Sequence, residues 1–141
     1  MIKHLDYATC AKEHLKKAEN DPFKIASILK MADARLRIIS KIARDEQSAS
    51  IIVESYYEII KELLTALLIK HDFKSSNHEC LISFFKERFP EYEYEANIIY
   101  DLKDVRNNIT YEGVFVKESY LSFNELEFKH IINILKSLIN S

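Results

Sequence analysis

A shortage of glycine and proline is the feature that most constrains this chain. Among 141 residues there is one glycine, Gly113, and there are two prolines, Pro22 and Pro90. Proteins with many strands need such residues in the turns between them. The sequence therefore predicts an all-α protein, and its length is that of one domain spanning residues 1–141.

Two long helices are predicted in the first half. Asn20-Asp21-Pro22 reads as a helix start, with Asp21 as N-cap and Pro22 at the first helical position. A polar joint near residues 44–48 separates this helix from a second one that runs to about Lys70. At about 100° per residue, the apolar side chains of the second helix cover more than half of its circumference. We therefore expect it to lie at the centre of a bundle.

Shorter signals place the remaining helices. Ser76 with Glu79 forms a capping-box pattern ahead of a helix that Pro90 ends. A further helix is predicted over residues 93–111, with Gly113 as its stop. Ser122 and Glu125 suggest a capping box for the last helix. The sum is an up-and-down antiparallel bundle of five or six helices.

Charge and cysteine pattern restrict the classes of function. The formal charge of −2 provides no global positive field for nucleic acid, so any contact with RNA must be local. Cys10 and Cys80 form neither a CxxC pair nor a disulfide-scaffold pattern, so we expect two small core residues in a reducing cytoplasm. The N-terminus has no secretory apolar region, and no apolar run is long enough to span a bilayer.

Several kinds of site are disfavoured. One glycine is too few for a P-loop or a dinucleotide fingerprint. The five histidines lack metal-ligand spacing, so we predict neither a metal site nor a cofactor, and we expect His78 to be solvated in a first helical turn. A row of basic residues could follow a phosphate backbone, but abundant acidic residues favour a solvated helix face. This basic row consists of Lys30, Arg37, Lys41 and Arg44.

Arg106 is the most informative polar residue. It lies about 60° from the centre of the apolar stripe of its helix, and no carboxylate stands three or four residues away. A guanidinium at such a border needs a partner from another helix. Glu54 and Glu58, on the polar stripe of the central helix, are the expected partners. With Asn107, this arrangement fits either an interhelical ion pair or a functional site.

The order of elements and the stretch Arg106-Asn107-Asn108-Ile109-Thr110-Tyr111 resemble the HEPN superfamily. The resemblance covers about residues 20–135 and rests on residues 50–54, 59–64, 77–82 and 104–113. It implies a homodimer with the two arginine motifs facing one cleft. It also implies a toxin–antitoxin or defence role, either as a metal-independent ribonuclease or as a non-catalytic bundle that pairs with a nucleotidyltransferase.

The resemblance also implies roles for individual residues. Arg106, Asn107 and Tyr111 would form the catalytic cleft, with Glu54 and Glu58 as supporting carboxylates. Tyr111 stands where the family motif has histidine, and a phenol of ordinary pKa near 10 is a poor base at neutral pH. Because residues five apart lie about 140° apart on a helix, we expect Arg106 and Tyr111 to converge only if the helix ends between them or a second chain contributes.

Overall fold

A computed structural model describes residues 4–141, and six α-helices dominate this part of the chain. The prediction of an all-α bundle is confirmed. The helices are α1 (Tyr7–Glu13), α2 (Pro22–Ser40), α3 (Ser48–Lys70), α4 (His78–Arg88), α5 (Glu93–Glu112) and α6 (Glu118–Asn140). A short 3₁₀ turn, Pro90–Tyr92, leads into α5.

A small antiparallel sheet was not predicted. Its two strands, β1 (Lys16–Lys17) and β2 (Phe73–Lys74), pair Lys16 with Lys74 and Lys17 with Phe73. The sheet joins the segment after α1 to the turn after α3. It therefore fixes the N-terminal segment beside α4, where the candidate site lies.

Helix α3 is the centre of the bundle, as its wide apolar surface predicted. It packs against α2, α4, α5 and α6 and against β2. Fourteen of its residues are buried, and they include the full rings of Tyr56 and Tyr57. At roughly 1.5–3 kcal/mol for each large buried apolar side chain, this helix supplies a larger share of the hydrophobic stabilisation than any other helix.

The predicted helix ends agree with the structure in some places and differ in others. The Asp21 carboxylate caps α2 by accepting a hydrogen bond from Lys24 N–H, and Gly113 ends α5 with φ +65°, in the left-handed region. Asn77, rather than Ser76, caps α4. The last helix begins at Glu118, so the suggested capping box at Ser122 is wrong; the chain enters the helix from extended backbone at Lys117.

Cys10 and Cys80 form a disulfide bond, which contradicts the prediction of two unpaired core cysteines. Both residues are fully buried, as expected, but α1 packs on α4 and brings them together across a sequence separation of 70. Spacing along a chain says nothing about such long-range neighbours. The disulfide ties the N-terminal segment to the first turn of α4.

No helix within residues 4–141 has both the length and the apolar character needed to cross a bilayer.

The disulfide is expected to stabilise the fold measurably. Reduction, or the double change Cys10→Ser and Cys80→Ser, should lower the free energy of unfolding by about 2–4 kcal/mol, because the link restricts a long loop in the unfolded chain. Urea unfolding followed by circular dichroism, with and without reductant, measures the change. The double serine variant is the control, since reductant should not affect it. Coincident wild-type curves in the two conditions would contradict the expectation.

Candidate functional site

Arg106 lies between two tyrosine rings. Its guanidinium carbon is 5.4 Å from the ring centre of Tyr57 on α3 and 5.6 Å from that of Tyr111. Its Nη1 donates to Asn107 Oδ1 at 3.3 Å and to the Tyr111 hydroxyl at 3.4 Å, while its Nε is buried and has no hydrogen-bond partner among residues 4–141. The structure therefore brings together Arg106, Asn107 and Tyr111, the three residues proposed from the motif.

Arg106 and Tyr111 meet within one chain and within one continuous helix. The sequence argument required either a helix end between them or a second chain, and this expectation is wrong, because α5 continues to Glu112. Side chains on a helix lean toward its N-terminus, so the long ring of Tyr111 reaches back toward Arg106. The angle between two Cα positions is a poor guide for side chains of this length.

The two carboxylates expected to pair with Arg106 have other partners. Glu54 Oε2 accepts a hydrogen bond from Thr110 Oγ1 at 2.5 Å, and Glu58 Oε1 pairs with Lys61 Nζ at 2.8 Å. Within the described part of the chain, no carboxylate lies within 4.0 Å of the Arg106 guanidinium nitrogens. Burial disfavours the ionised Glu58, but Lys61, with Arg35 and Arg106 nearby, outweighs this effect and lowers its pKa.

His78 belongs to the same group of side chains, although the sequence pattern did not indicate it. It is the first residue of α4, as expected, but it is partly buried rather than solvated. Its Nδ1 lies 3.3 Å from the Tyr57 hydroxyl. Burial is the main cause of its lowered pKa, and the positive charges of Lys61, Arg106 and Lys103 add to the effect while Glu58 opposes it.

Tyr57 contacts both His78 and Arg106. Its hydroxyl contacts His78, and its ring lies against the Arg106 guanidinium. Burial raises the pKa of Tyr57 well above its ordinary value, although Arg106 acts in the opposite direction. Tyr57 is therefore a neutral, rigid support with His78 and Arg106 at its two ends.

An open cleft of about 500 Å³ lies over these residues. Its charged wall contains Lys103, which is only 7% exposed and pairs with Glu79 at 3.2 Å. The other lining residues come from the N-terminal segment, the start of α4 and the end of α5. The cleft is lined by Leu5, Ser76, Asn77, His78, Glu79, Lys103, Arg106, Asn107 and Tyr111. We call it the α4–α5 cleft.

The basic row proposed as an alternative phosphate track is interrupted in the structure. Arg44 lies beyond the end of α2, where it pairs with Glu125 at 2.6 Å and donates to the carbonyls of Ile39 and Ile42. Arg44 is therefore a structural residue that ties α2 to α6. Lys30, Arg37 and Lys41 remain exposed.

A second polar group joins α5 and α6 away from the α4–α5 cleft. Ligand-type atoms of Glu95, Glu127 and His130 lie within 4.8 Å of one another. The i, i+3 spacing of Glu127 and His130 was not considered in the sequence prediction. Glu95 and Glu127 are partly buried and His130 is exposed, and the grouping alone assigns no metal.

Comparison with family models, with curated proteins and with solved structures finds no match for this chain. A functional proposal must therefore be argued from the residues of this chain.

The lowered pKa of His78 can be tested through its neighbours. Arg106→Gln should raise the pKa of His78, because the change removes a nearby positive charge that disfavours the imidazolium. An NMR titration of the His78 ring protons measures the midpoint. Arg37→Gln, which removes an exposed arginine from α2, is the control and should leave that midpoint unchanged. A midpoint that is equal in wild type and Arg106→Gln would exclude the described proximity.

Proposed function

We propose that this chain is a HEPN-like, RNA-directed domain whose α4–α5 cleft binds a phosphodiester of RNA. The proposal rests on one observation about Arg106. This residue faces an open cleft, and no carboxylate among the described residues lies within ion-pair distance of it. A guanidinium held by aromatic rings but not neutralised is suited to a bidentate contact with phosphate. Asn107 supplies an amide beside it.

The proposed reaction is metal-independent cleavage of RNA through the 2′-hydroxyl, as the family resemblance implies. In such a reaction negative charge grows on the phosphorane oxygens, and a preorganised arginine stabilises that charge. Arg106 takes this role in the proposal. The hydroxyl of Tyr111, which already contacts Arg106, positions the phosphate beside it.

A homodimer forms the second part of the proposal. Residues 4–141 include ten exposed large apolar residues, and five of them lie within residues 111–126: Tyr111, Val114, Phe115, Phe123 and Leu126. Phe123 also lines a mostly apolar groove of about 580 Å³ with Val105 and Val116. Exposed apolar surface of this kind marks an interaction site. Because the segment begins at Tyr111, association through it would place the cleft near the partner.

The same apolar segment supports the second candidate function, a non-catalytic bundle that binds a nucleotidyltransferase-type protein. In both versions we place the chain in a toxin–antitoxin or defence system. The expectation of a reducing cytoplasm loses its support from the cysteines, because Cys10 and Cys80 are disulfide-bonded. Co-expression with the product of an adjacent gene distinguishes the two versions. A stable heterocomplex, together with unchanged RNA in cleavage assays, favours the binding bundle over the ribonuclease.

RNA binding provides the direct test of the cleft. Arg106→Gln should weaken binding about tenfold or more, because a charge-assisted hydrogen bond to phosphate contributes about 1.5–3 kcal/mol. Fluorescence anisotropy with a 2′-O-methyl RNA, which cannot be cleaved through its 2′-oxygen, measures affinity alone. Arg37→Gln removes the same charge from α2 and is the matched control. An equal loss of RNA affinity in the two variants would contradict the proposal that RNA binds in the α4–α5 cleft.

The dimer can be tested with two equally exposed phenylalanines. Phe123→Asp should shift the protein toward monomer, because it places a charge within the proposed apolar interface. Phe23→Asp should not, since Phe23 is also 89% exposed but lies at the start of α2. Size-exclusion chromatography with light scattering reports the mass. A wild-type protein that is monomeric at every concentration contradicts the dimer.

A further inference from the structure

The α4–α5 cleft contains a histidine that the motif on α5 does not supply. His78 lies at the start of α4, and it lines the same cleft as Arg106, Asn107 and Tyr111. Its Nδ1 contacts the Tyr57 hydroxyl at 3.3 Å. Its other ring nitrogen, Nε2, has no hydrogen-bond partner among residues 4–141 and is free for a bound molecule.

We infer that His78 is the general base of the proposed ribonuclease, taking the proton of the RNA 2′-hydroxyl on Nε2. This inference rests on the proposed function, and it moves the proton-transfer role from position 111 on α5 to the first turn of α4. In this arrangement Tyr111 does not act as the base that removes the 2′-hydroxyl proton. It contacts Arg106 and positions the phosphate.

Tyr57 holds the arrangement in place. The proposed role requires the tautomer with its proton on Nδ1, in which Nδ1–H donates to the Tyr57 oxygen 3.3 Å away and the Nε2 lone pair accepts the incoming proton. The ring of the same tyrosine lies against Arg106. One buried side chain of α3 thus positions both the base and the group that stabilises the phosphorane. Preorganisation of this kind is what proton transfer and charge stabilisation require.

The charged groups around His78 favour its neutral form. Lys61 on α3 and Lys103 and Arg106 on α5 are positive and lower the pKa of His78, whereas the carboxylate of Glu58 on α3 acts in the opposite direction. The neighbouring Glu79 is paired with Lys103. The first turn of a helix also disfavours a cation, because unpaired backbone N–H groups point toward it. A neutral imidazole is the form that accepts a proton.

The reaction balances without a metal or a redox partner. The 2′-hydroxyl proton moves to His78 Nε2, the 2′-oxygen bonds to phosphorus, and the bond from phosphorus to the 5′-oxygen breaks. The departing 5′-oxygen takes a proton from water, and the resulting hydroxide takes the proton held by His78. The products are a 2′,3′-cyclic phosphate and a 5′-hydroxyl.

Cleavage kinetics of the full chain test the inference. His78→Gln should reduce the cleavage rate of a fluorescent RNA by about 10²–10⁴-fold, the usual contribution of a general base, with little change in affinity for the 2′-O-methyl RNA. His130→Gln, an exposed histidine outside the cleft, is the matched control and should cleave at the wild-type rate. Tyr111→Phe should lose much less than His78→Gln.

The pH profile provides a second readout that does not depend on the folding of a variant. The wild-type rate should rise tenfold per pH unit below the pKa of His78 and become constant above it. Because burial and nearby positive charges lower that pKa, the midpoint of the profile should lie below the ordinary histidine value of about 6.5. A His78→Gln rate within threefold of wild type, or a Tyr111→Phe loss as large as that of His78→Gln, overturns the inference.

Failure of the inference and failure of the proposed function give different results. RNA that binds in an Arg106-dependent manner but is not cleaved overturns the role of His78 and leaves RNA binding intact. Equal cleavage of RNA by wild type and His78→Gln also overturns the role of His78, and it leaves the proposed RNA binding intact. RNA that neither binds nor is cleaved removes the proposed function, and the inference with it.

Discussion

The burial of α3 is the constraint on which the rest of the structure depends. Its apolar residues cover so much of its circumference that four other helices must pack around it. Only a narrow polar stripe escapes this packing, and Glu54, Glu58 and Lys61 lie on it. The α4–α5 cleft lies between the start of α4 and the C-terminal half of α5, and two of its lining residues, His78 and Arg106, contact Tyr57 on the central helix.

Tyr57 links the buried core of α3 to the side chains of the α4–α5 cleft. Its ring is buried with the core, yet its hydroxyl and one face reach His78 and Arg106. A side chain fixed by the core has little freedom, so the two groups that it contacts are held with respect to each other. The neighbouring carboxylates are occupied by Thr110 and Lys61, which leaves the charge of Arg106 available to a ligand.

The fold could be predicted from the sequence because its signals are local. The deficit of glycine, the cap at Asp21 and the stop at Gly113 each act within a few residues, and all three agree with the structure. Arg106, Asn107 and Tyr111 were recognisable as a group for the same reason, since one helical turn and a half contains them all. The start of α6 was misplaced because a side-chain pattern was read as a cap where extended backbone at Lys117 precedes the helix.

The features that the sequence did not reveal all depend on contacts between distant segments. The Cys10–Cys80 disulfide and the small sheet follow from α1 and β1 packing against α4 and β2, and the position of His78 follows from α4 packing against α3. The predicted ion pair between Arg106 and Glu54 or Glu58 is absent among the described residues. The polar stripe of α3 indicates which carboxylates are near Arg106, but it does not indicate which side chain each carboxylate binds. Thr110 and Lys61 reach Glu54 and Glu58 at shorter distances.

The central claim is that His78 and Arg106 act on one ligand in one cleft. An NMR titration of the full chain with a short 2′-O-methyl RNA tests it most directly, because every residue reports its own environment. The account predicts that signals of His78, Arg106, Asn107 and Tyr111 shift together with a single affinity. Shifts confined to the exposed lysines and arginine of α2, with the signals of the α4–α5 cleft unchanged, would contradict it.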